Sequence, residues 1–143
     1  MQGKYDLAET YAARTLAARR QALGSEDPDT MTSAVDLATV YIEQDKFADA
    51  EPLARDARGT ERKIQPDLWP RYRAETVLGE SLAGQRKFAE AEPLIVEGFK
   101  GMLARKERIA VPDQYHLDRA REWLVRLYAA WGKPAKVAEW RGN

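Results

Sequence analysis

Lys46-Phe47-Ala48-Asp49-Ala50-Glu51 decides the fold, because the chain repeats this phrase in variant form. An earlier copy is Lys4-Tyr5-Asp6-Leu7-Ala8-Glu9, a later one is Lys87-Phe88-Ala89-Glu90-Ala91-Glu92, and Gly132-Lys133-Pro134 is a degenerate fourth. The aromatic residues Tyr5, Phe47 and Phe88 fall 42 and then 41 residues apart. A fixed period in this range marks a solenoid, in which each unit buries its apolar face only against its neighbours. Such an architecture favours an extended binding surface over a catalytic pocket.

Outward from the phrase, the punctuation predicts seven helical stretches. The first runs from about Lys4 to Ala22 and stops at Gly24, a C-terminal signal. The second opens with Asp27 as N-cap and Pro28 at the first helical position, and reaches about Gln44. A third spans about Phe47 to Ile64, a fourth Trp69-Pro70 to Gly84, and a fifth Phe88 to Arg108. Pro112 opens a sixth, with Asp113 capping its start, that ends near Gly132; a seventh covers about Ala135 to Arg141. Pro52 and Pro93 stand about one turn into the third and fifth helices, where a mild kink is expected.

Apolar residues recur at helical spacing. Ala34, Leu37, Ala38 and Tyr41 form one face, and Leu78, Gly79, Leu82 and then Leu124, Val125, Tyr128 repeat it. Each set is followed by a lysine-centred turn and then by Ala50, Ala91 or Val137. The small residue lets two helices approach closely while the aromatic fills the wedge beside it. The expected fold is all-α: a right-handed α-solenoid of about seven helices, stacked as antiparallel hairpins. It is read as a single domain over 1–143, made of a half repeat 1–24, repeats 28–65 and 69–109, and a capping repeat 112–141.

Composition narrows the function. The 23 basic and 23 acidic residues balance to a net charge of +0, whereas nucleic-acid binding draws on a basic surplus. No apolar run approaches the roughly 20 residues of a membrane span, and no apolar stretch of the secretory type follows Met1-Gln2-Gly3-Lys4. Neither nucleic acid nor membrane is expected as a partner, and a cytoplasmic setting is. Without cysteine there are no thiolate ligands, and His116 is the sole histidine, so no metal site is expected. Ser25, Ser33 and Ser81 have no histidine at a motif spacing. Asp49/Glu51 and Glu90/Glu92 lie two apart on helices and face different ways. The phosphate-loop pattern is absent as well. The chain is therefore read as non-catalytic and without a cofactor.

The order Leu-small-x-x-aromatic, tight turn, aromatic, x-x-Ala resembles the tetratricopeptide repeat. It stands as Leu37-Ala38-x-x-Tyr41 before Phe47 and Ala50, as Leu78-Gly79-x-x-Leu82 before Phe88 and Ala91, and as Leu124-Val125-x-x-Tyr128 before Val137. The period exceeds the usual repeat of about 34 residues, which requires a longer second helix and loop. The long form is similar to kinesin-light-chain-type repeats, whose loop signature resembles Ala22-Leu23-Gly24-Ser25-Glu26-Asp27-Pro28-Asp29-Thr30, with Asp27 in place of the usual His. The C-terminal half also resembles the last repeats of large bacterial Ser/Thr protein kinases with tetratricopeptide tails. It does so at Leu78-Gly79-Glu80-Ser81-Leu82, Phe88 to Leu94, Leu124 to Tyr128 and Glu139-Trp140-Arg141. No kinase motif is present in the chain.

These resemblances imply a peptide- or protein-binding module whose first helices line a concave groove. Three readings stay open: such a module, the regulatory tail of a kinase, and a structural or self-associating spacer. The candidate groove stripe is Thr32, Val35, Thr39 and Ile42 on the second helix, Arg73, Thr76 and Glu80 on the fourth, and Arg119, Glu122 and Arg126 on the sixth. Its arginines suit an acidic peptide, since guanidinium groups hold carboxylates by paired hydrogen bonds. The plainer alternative pairs them with Glu80 and Glu122 on their own helices. Kinesin-light-chain-type repeats carry paired Asn on this stripe, where the chain has Val35-Asp36 and Thr76-Val77. At the other end, Lys4-Tyr5 arrives without a preceding helix, which suggests a piece of a longer protein. The first helix is expected to fray or to be covered by a second copy, because each large apolar side chain left in water forfeits about 1.5–3 kcal/mol.

Overall fold

The order of elements is α1 (Gln2–Leu23), α2 (Pro28–Glu43), α3 (Phe47–Ile64), α4 (Trp69–Gly84), α5 (Phe88–Ala104), α6 (Tyr115–Trp131) and α7 (Pro134–Gly142). The structure, a computed structural model, describes residues 2–142. Met1 and Asn143, the ends of the expected domain, lie outside the described residues.

The repeated lysine follows a helix end built the same way three times. Asp45, Arg86 and Gly132 take the left-handed conformation, with φ of 60°, 64° and 76°. The next amides, of Lys46, Lys87 and Lys133, reach back to the carbonyls of Tyr41, Leu82 and Tyr128 at 2.8, 2.9 and 2.9 Å. This is the Schellman pattern, which satisfies carbonyls that a helix end leaves without partners. It reverses the chain within a few residues, so the next helix folds back antiparallel. At the other kind of junction Gly24 has φ 90° and Asp27 accepts from the Asp29 amide at 2.9 Å, as expected for a stop followed by an N-cap.

Each helix packs on its sequence neighbours, and α4 also touches α2 and α6. The hairpins close on small residues. Ala50 and Ala91 are fully buried, and a Cβ on Gly79 would collide with Ile95 Cγ1 and meet the Ala91 carbonyl at 3.0 Å. Aromatic pairs then join one repeat to another: Phe47 with Trp123, Phe88 with Trp131, and Phe99 with Trp140. The glutamate that closes each phrase ties its helix to the C-terminal end of the following helix or to the turn after it. Glu9 accepts from Gln44 at 2.9 Å and Lys46 at 3.0 Å; Glu51 accepts from Gln85 at 2.8 Å; Glu92 accepts from the Tyr128 hydroxyl at 2.7 Å.

Two expectations need correction. Helix α5 ends at Ala104, and α6 begins at Tyr115 instead of at Pro112. Short 3-10 turns, Lys106–Arg108 and Val111–Asp113, fill the connection, so Pro112 belongs to a turn. Asp113 consequently caps nothing; Gln114 holds the cap position and makes no side-chain capping bond. Helices α3 and α5 run unbroken through Pro52 and Pro93. At the first helix Leu16 is buried, while Leu7 and Tyr11 are 76% and 74% exposed.

Candidate functional site

Helices α2, α4 and α6 share the side on which the candidate stripe lies. Within it, Thr32, Glu122 and Arg126 are exposed, Thr39 and Arg119 are half-buried, and Val35, Ile42, Arg73, Thr76 and Glu80 are buried. The burial has a simple cause. Helix α4 is flanked by α3 and α5 and also by α2 and α6, so every residue from 73 to 83 is buried.

The buried charges pair across helices. Arg73 donates to Asp36 of α2 at 2.8 Å. Arg119 donates from Nε and Nη2 to Glu80 of α4 at 3.1 and 2.9 Å, and its Nη1 lies 3.6 Å from Glu43 of α2. The alternative of pairing within their own helices does not hold for Arg73 and Arg119, whose guanidiniums face neighbouring helices. Burial pushes the Glu80 carboxyl up to about 7, with Arg119 the largest opposing influence. Its Oε2 has no hydrogen-bond partner. Burial, then Arg73 and Arg119, lower His116 to about 3, so its imidazole is neutral near pH 7.

The bridge from Arg119 to Glu80 and Glu43 stands between two clefts. One, of about 420 Å³, opens at the N-terminal ends of the three helices and is bordered by Thr32, Asp36, Trp69, Arg73, Asp113 and Tyr115. The other, of about 330 Å³, lies at the C-terminal ends of α4 and α6 and the adjoining turns, bordered by Asp45, Phe47, Arg86, Phe88, Trp123 and Arg126. In it the Arg126 guanidinium lies 3.9 Å from the Trp123 ring centre and that of Arg86 lies 5.1 Å from that of Phe88. Both left-handed non-glycine residues, Asp45 and Arg86, border this one cleft.

The stripe named from sequence therefore enters both clefts, through Thr32, Val35 and Arg73 at one and Arg126 at the other. It omitted Asp45, Phe47, Arg86 and Phe88, which come from the turns and not from the first helices. A signal for them was present, since all four stand within or next to the repeated phrase. No group of three or more potential metal ligands gathers among the described residues. No described helix is long and apolar enough to cross a membrane.

Residues 1–59 match the family model of the tetratricopeptide repeat, a span that covers α1, α2 and most of α3. No curated protein matches the chain.

Proposed function

We propose that the chain binds a segment of another protein along the α2–α4–α6 side, with an acidic side chain of that segment in the Arg86/Arg126 cleft; the match of residues 1–59 to the tetratricopeptide repeat, whose repeats mediate protein–protein interaction, supports this. The state of the arginines carries this reading. Arg73 and Arg119 are engaged by Asp36, Glu80 and Glu43. Arg86 and Arg126 are exposed, lie over aromatic rings, and have no carboxylate within 4 Å among the described residues. Two guanidiniums on one cleft suit a carboxylate, which each can hold by paired hydrogen bonds. Phe47, Phe88 and Trp123 add apolar area beside them, the residue types that dominate binding energy at interfaces. Thr32, Thr39 and Glu122 remain accessible along the rest of the stripe.

Selection from a random peptide display library on the intact chain tests it. Peptides with Asp or Glu are expected to be enriched, and the Arg86→Glu/Arg126→Glu double variant is expected to bind them at least about tenfold more weakly. Equal binding to both proteins would remove the reading.

A second reading, self-association through α1, has its own observation. Leu7 and Tyr11 are largely exposed, and Tyr11 borders an apolar recess of about 250 Å³ with Ala8, Ala12 and Val40. An exposed apolar patch of this sort marks an interaction surface. Sedimentation equilibrium is expected to show a dimer that Tyr11→Arg dissociates; a strict monomer at high concentration would count against it.

A further inference from the structure

The two clefts differ in charge, and the difference specifies a ligand. We propose that the cleft at the N-terminal ends of α2, α4 and α6 takes a basic side chain of the bound segment, about four or five residues from its acidic one. The inference rests on the groove reading above and adds a second, independent recognition element to it.

The walls suit a cation. Trp69, Tyr115 and His116 line the cavity together, with ring centres 4.1 Å apart for Tyr115 and His116 and 5.8 Å for Trp69 and His116. His116 is neutral near pH 7 and brings no competing charge. Aromatic faces attract a lysine or, better, an arginine guanidinium, which also stacks on them. The carboxylates suit it too. Asp113 has no cation within 4 Å among the described residues, and Asp36 pairs with Arg73, the one basic residue besides the neutral His116 on the cavity wall among the described residues. Arg73 is itself only 8% exposed, and its Nε–H has no acceptor. The N-terminal ends of α4 and α6 oppose a cation, but theirs is a partial charge that fades within a turn, whereas Asp113 carries a full one at the cleft itself.

The spacing follows from the helices. His116 borders one cleft and Arg126 the other, ten residues apart on α6. At 1.5 Å per residue that is about 15 Å, or about four to five residues of an extended chain. Opposite charges at the two ends also fix the direction in which the segment lies.

The display selection on the intact chain tests this when the peptides are scored for charge pairs. The expected peptides carry Lys or Arg four or five residues from Asp or Glu, always in the same order. Asp113→Lys is expected to weaken them about tenfold, and Tyr115→Ala, which removes an exposed ring, severalfold. A peptide with its basic residue changed to alanine is expected to bind wild type and Asp113→Lys alike. Acidic peptides with no basic residue at a fixed offset, or equal binding to Asp113→Lys, would overturn the inference and leave the acidic groove standing. Absence of any acidic preference would overturn the groove reading, and this inference with it.

Discussion

Glu80 combines full burial, a guanidinium partner on one oxygen and none on the other. Its carboxyl titrates near 7 in the folded chain against an ordinary 4.5, so the folded state holds that proton more tightly than the unfolded state. The contribution to stability is full below pH 4.5 and is lost as pH rises through 7, on the order of 3 kcal/mol. His116 acts in the opposite sense. Its proton is disfavoured in the fold, so stability falls as pH drops from about 6.5 toward 3. The informative quantity is therefore a difference. Glu80→Gln is expected to gain stability relative to wild type as pH goes from 5 to 8 in urea unfolding, and a constant difference would contradict the assignment. Arg86 gives a second test at this scale. It holds φ 64° where the third turn uses Gly132. A non-glycine residue there costs about 1–2 kcal/mol, so Arg86→Gly is expected to raise the melting temperature while weakening the selected peptides.

Among the elements, α4 and α5 approach closely at glycines. Alanine at Gly79 adds helix propensity worth about 1 kcal/mol, yet its Cβ would collide with Ile95 Cγ1 and stand 3.0 Å from a carbonyl of α5. Overpacking of this kind costs about 1–3 kcal/mol, so Gly79→Ala is expected to lower the denaturation midpoint. An unchanged or higher midpoint would mean that α4 and α5 separate easily. The hairpins were legible in sequence because their signals are local: an apolar face, a lysine-centred turn, and an alanine at the crossing. The start of α6 was not legible, because Pro112 and Asp113 suit a helix start and a 3-10 turn equally well. On α1, Leu7 and Tyr11 stay exposed whereas Leu16 is buried within the chain.

At the scale of the whole molecule, the curl of the stack decides what remains open. Periodicity says which face of a helix turns inward but not how tightly successive hairpins wind. Here Arg119 reaches Glu43, and Phe47 meets Trp123 with ring centres 6.2 Å apart, two repeats joined across a third. That winding buries Arg73, Thr76 and Glu80 and leaves a cleft open on either side of the bridge. It also explains why Arg73, Arg119 and Arg126, alike in sequence, differ in availability: of these three, Arg126 makes no ion pair with a described residue. If a peptide lies along α2, α4 and α6, chemical-shift mapping of a display-selected peptide on the isotope-labelled chain will show it. Perturbations are expected at Thr32, the Trp69 and Trp123 indoles, Arg86 and Arg126. Perturbations confined to the outward surfaces of α3, α5 and α7 would contradict it.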